Sequence, residues 1–124
     1  MDETKEPRET AARQAALSTI RLAEESKRVR QSADWAAQDR RVLSLLRKEA
    51  LSVRLVMLKR DAELPPHPAP GSVTVHVLAG SVLFHAPNAQ ATLTAGDIVA
   101  LEKGAIHSLK ALEEATILVT YVSG

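Results

Sequence analysis

The stretch Leu64–Gly96, LPPHPAPGSVTVHVLAGSVLFHAPNAQATLTAG, holds His67, His76 and His85 but not one Asp, Glu, Lys or Arg, in a chain that is 25% charged. A run this poor in charge cannot all face water, so it must be walls and turns that the rest of the chain covers. Within it SVTVHVLA and SVLFHA alternate in the two-residue period of half-buried strands and are rich in β-branched residues. Pro-Pro, Pro-Gly, Ala-Gly and Pro-Asn punctuate it as turns.

Working outward, the 124 residues suffice for one domain with a real core. Aromatic residues are only 2%, so that core is built from Val, Leu, Ile and Ala. The absence of cysteine excludes disulfides, thiolate metal sites and thiol nucleophiles. No apolar run approaches the roughly 20 residues of a bilayer-spanning helix. The charged start, MDETKEPRET, has no apolar signal core, and the expectation is a cytoplasmic protein without membrane contact. A net charge of +1 predicts no general attraction to nucleic acid. After Leu64 the charged residues are only Asp97, Glu102, Lys103, Lys110, Glu113 and Glu114, so the two halves should fold differently.

Glu9–Gln31 is free of Gly and Pro and rich in helix formers, which predicts one long helix with a thin stripe of Ala16, Ile20, Ala23 and Lys27. Lys27, Arg28 and Arg30 lie within a turn of Glu24 and Glu25, which favours a salt-bridged face over a nucleic-acid patch. Trp35, the single tryptophan, reads as a plug at one end of the core. Residues 40–50 and 51–60 then read as two strands joined at Lys48–Glu49–Ala50. Val53, Leu55 and Met57 share one face, and Arg54 on the other should reach solvent or an acidic partner. Further strands recur to the C-terminus with no helix among them, which indicates an antiparallel sandwich or small barrel.

Two patterns in this region resemble the cupin superfamily. The first, G(x)5HxH(x)3–4E(x)6G, falls on Asp61, His67, Ala69, Val73 and Gly80. The second, G(x)5PxG(x)2H(x)3N, falls on Gly96, Glu102, Gly104, His107 and Ala111. The residues from Trp35 onward are also similar to small bacterial cupins of undefined function. The resemblance implies an all-β, cupin-like double-stranded β-helix (a jelly-roll barrel) at residues 35–124, after a tail and α-helical extension at 1–34. It further implies a metal site in which His67 and His107 survive, while Ala69 and Val73 replace a histidine and the glutamate. Two neutral imidazoles without a carboxylate would hold a divalent metal ion weakly.

Three roles stay open for His67 and His107: a partial metal site, hydrogen-bonding groups for a small molecule, or structural residues at the mouth. The leading expectation is a binding protein, not a catalyst, with a small, mostly apolar ligand lined by Val73, Val75, Val77 and Phe84. The alternative is a metal-dependent cupin enzyme of dioxygenase or isomerase type; weaker is a regulatory module using the basic helix. A hairpin turning at Gly80 would set His76 beside His85 on an uncharged outer face, which predicts burial in a homodimer.

Overall fold

The computed structural model describes residues 16–123. Among them the alternating segments form nine strands, every pairing antiparallel. These are β1 (Arg40–Lys48), β2 (Leu51–Leu58), β3 (Glu63–Pro68), β4 (Gly71–Ala79) and β5 (Ser81–Ala86), then β6 (Ala89–Thr94), β7 (Ile98–Leu101), β8 (Ile106–Ala111) and β9 (Ala115–Ser123). One sheet has the order β1-β2-β9-β4-β7 and the other β3-β8-β5-β6. The chain changes sheet at almost every turn after β2, so strands distant in sequence become neighbours and the two sheets share one core.

That core follows from the alternation. On β4, Val73, Val75 and Val77 are buried while Ser72 and Thr74 are exposed. From the opposite sheet Val82, Phe84 and Leu109 join the same cluster. Burying each such side chain contributes about 1.5–3 kcal/mol relative to exposure.

Gly80 lies between β4 and β5 at φ 81°, and a Cβ there would stand 2.1 Å from the Glu114 carbonyl oxygen. The chain does not turn back on itself here. It crosses from one sheet to the other, because β4 pairs with β7 and β9, and β5 with β6 and β8. The expected His76–His85 pair is therefore not formed. His76 lies opposite Ile98 and Leu118 in one sheet, and His85 opposite Gln90 and Ser108 in the other. The shared uncharged face that motivated a dimer contact does not exist in that form.

The proline-rich segment, expected as a break, is strand β3. It runs along the edge of its sheet, where a missing N–H costs no ladder bond, and its register shifts between Leu64 and His67.

The N-terminal part also departs from expectation. Residues 16–21 are not helical, and α1 spans Leu22–Gln31, followed by α2, Ala33–Ala37. The beginning of the predicted helix lies outside the described residues. Glu24 and Glu25 in the first turn of α1, with Arg28 and Arg30 in the last, complement its dipole. Of the predicted stripe, Ala23 and Lys27 are exposed and Ile20 packs beside the sheet; the buried residues of α1 are instead Glu25 and Val29, with Leu22 packed beside them. The basic residues are partly paired, Arg28 with Glu25 at 3.1 Å and Arg30 with Glu114 at 3.2 Å.

This helical layer covers the outer face of the five-stranded sheet. Val29 and Trp35 form a second core there with Leu45, Leu55 and Met57. Trp35 thus joins the helices to the sheet and does not plug an end of the barrel. Strand β2 is consequently apolar on both faces. Leu55 and Met57 meet the helices, while Val56 and Leu58 meet the barrel core.

Candidate functional site

The edge strand β3 and its neighbour β8 bring His67 directly opposite His107. The ring centroids are 4.2 Å apart, and the His107 ring lies parallel to Phe84 at 5.8 Å. His107 is buried and His67 exposed. Each Nδ1 contacts the carbonyl oxygen two residues back, His67 that of Pro65 at 3.0 Å and His107 that of Ala105 at 3.1 Å. A carbonyl only accepts, so each Nδ1 carries a proton, and in the neutral ring Nε2 keeps its lone pair. Burial holds the His107 imidazole below its ordinary value. The adjoining His67 adds to this, and the bond to Ala105 opposes it. The neutral ring is the favoured form.

The pair borders a cavity of ≈ 240 Å³ between the sheets. Val56, Val73, Val75, Ile117 and Val119 supply much of its apolar wall. Among the described residues that line it, the polar ones are Arg54, His67, His107 and Ser108, with no carboxylate. Its volume is below the roughly 300–1,000 Å³ usual for drug-sized ligands, so its capacity suits a smaller molecule.

The expected lining residues divide. Val73 and Val75 face the cavity, whereas Val77 and Phe84 are buried in the surrounding core outside its lining. Arg54 is exposed, as expected of a side chain that reaches solvent, but its place on the cavity wall was not foreseen. It sits on β2 opposite Val119, in the same alternating set as Val56, and so on the barrel side. Instead of an acidic partner it meets Tyr121: its Nη2 donates to the Tyr121 hydroxyl at 2.9 Å, and its guanidinium carbon is 5.2 Å from the ring centre. The available signal was the unbroken apolar run LVML at residues 55–58, which marks a strand covered on both faces.

No family model and no curated protein matches the chain. Solved structures do. A conserved protein of unknown function from Streptococcus pyogenes is similar at a TM-score of 0.65 and 23% identity, over 70% of this chain and 77% of that one. A cupin-2 domain containing protein from Shewanella frigidimarina gives 0.67 at 18% identity, over 84% and 94%. Salicylate 1,2-dioxygenase from Pseudoaminobacter salicylatoxidans gives 0.73 at 12% identity, over 83% and 32%. The chain has the cupin fold.

The metal site that the cupin resemblance implies can be tested against the side chains present. Ala69 occupies the second histidine position. It is buried, its N–H donates to the Ala105 oxygen, and its own oxygen accepts from the Gly104 N–H. Val73 occupies the glutamate position and is part of the apolar cavity wall. Among the described residues no three His, Cys, Asp or Glu side chains come together as a metal-holding group. Two imidazoles facing a hydrocarbon wall do not fit a firmly held transition metal, which normally takes three or more protein donors and some anionic charge.

Proposed function

We propose that this cupin barrel binds a small, largely apolar molecule in the cavity between its sheets, using the remains of a metal site as hydrogen-bonding groups. The observation that carries this reading is Val73. The position of the family's metal carboxylate is here a methyl-bearing wall of an apolar cavity. The two Nε2 lone pairs beside it supply acceptors that fix the orientation of a bound molecule.

Elemental analysis of protein purified without chelator should find metal well below one ion per chain, unchanged in His67→Ala and His107→Ala. Near-stoichiometric metal that disappears in either variant would overturn the reading. It would favour instead a metal-dependent enzyme of dioxygenase or isomerase type, for which the two adjoining imidazoles are the supporting observation.

A further inference from the structure

Building on the barrel-ligand reading, we propose that the bound molecule is an acid whose carboxylate is recognised by Arg54. Three observations converge on this side chain. Arg54 lines the cavity, while no Asp or Glu does among the described residues. No carboxylate among those residues lies within ion-pair distance of it; Arg21, Arg47 and Arg60 share this, but none of those three lines the cavity. Among the described residues its polar partner is the neutral hydroxyl of Tyr121, whose ring also stands beside the guanidinium.

A guanidinium has five N–H donors in a rigid fork suited to two-point contact with a carboxylate. Tyr121 occupies part of that fork and restrains it, leaving donors free at the mouth of an apolar cavity. The cavity's net positive charge repels an amine and gives less to a neutral head group than to an anion. The imidazoles cannot share the task. Their Nδ1 protons are committed to backbone oxygens, and in the neutral ring Nε2 is an acceptor that meets a carboxylate lone pair to lone pair. Anion recognition thus rests on one residue, and the apolar wall takes the carbon skeleton.

The test uses head-group series on two carbon frames: benzoate, benzamide and benzylamine, and hexanoate, hexanamide and hexylamine. Calorimetry measures affinity, and shifts in the NMR signals of Val73, Val75 and His107 fix the location. Wild-type protein should bind the acids at least about tenfold more tightly than the amides, as expected for a charge-assisted pair. Added NaCl should weaken the acids and leave the amides unchanged. Arg54→Gln should bring acids to the level of amides without weakening the amides. Arg47→Gln, which removes a cation of the same hairpin outside the lining, should retain the preference. Amides or amines binding wild type as tightly as acids would overturn the carboxylate assignment and leave the barrel-ligand reading intact, as would an acid preference surviving in Arg54→Gln. Failure of every compound to shift the barrel signals would overturn both.

Discussion

His107 combines burial, an adjoining imidazole and a fixed tautomer, and this makes a definite pH signature. Its folded-state pKa lies below the ordinary 6.5, chiefly because burial removes water from the charged form. On acidification the unfolded chain therefore takes up this proton before the folded one does. The associated stability is present above pH of about 6.5 and is lost as the pH falls from there through the folded-state value. Urea midpoints should drop between about pH 7.5 and about pH 5.5 in wild type, and drop less in His107→Gln. An equal drop in both would place the acid sensitivity at another group. At this scale the resemblance to the two cupin motifs marked His67 and His107, which the fold brings opposite each other. The sequence placed Arg54 on the face opposite Leu55 and Met57 and open to solvent, but alternation within one strand does not tell which of its faces lines the cavity.

Among the elements, the alternating strands were legible and their partners were not. Strands β4 and β5 stand where the two-residue pattern places them, since alternation is a local consequence of one buried face. Whether Ala79-Gly80-Ser81 turns back as a hairpin or crosses between sheets depends on β7, β8 and β9, which lie far along the chain. Prolines at 65, 66 and 68 read as a break because edge position, which makes them tolerable, is a property of the whole sheet. The crossing at Gly80 carries two demands at once, a left-handed backbone and the near approach of the Glu114 and Ala115 backbone. Gly96 shares the first, at φ 96°, and has open space around it. Gly96→Ala should therefore cost the conformational penalty alone, about 1–3 kcal/mol. Gly80→Ala adds steric overlap with a backbone held by β9, and should cost more than about 3 kcal/mol in chemical denaturation. Equal costs would mean that the turn before β9 yields easily and does not anchor the crossing.

On the scale of the whole molecule, the five-stranded sheet belongs to two cores. On β2 and β9 neighbouring residues face opposite ways: Val56 and Ile117 belong to the barrel core, while Leu55 and Leu118 meet the helical layer. Lys59 joins the two sides, donating to the Trp35 carbonyl oxygen while its ammonium stands 4.7 Å from the indole centre. Arg30 reaches from α1 to Glu114 in the turn before β9. Loss of either core strips one face of the same strands, so helices and barrel should unfold as one unit. Replacing Trp35 by Ala should then lower the stability of the entire chain by about 3–5 kcal/mol, beyond any local loosening of the helices. Because Trp35 is the single tryptophan, its fluorescence reports the helical layer while far-UV circular dichroism is dominated by the strands. Their urea transitions should coincide in midpoint and slope. A fluorescence transition at clearly lower urea would show that the layer detaches first and that the outer face of the sheet holds together without it.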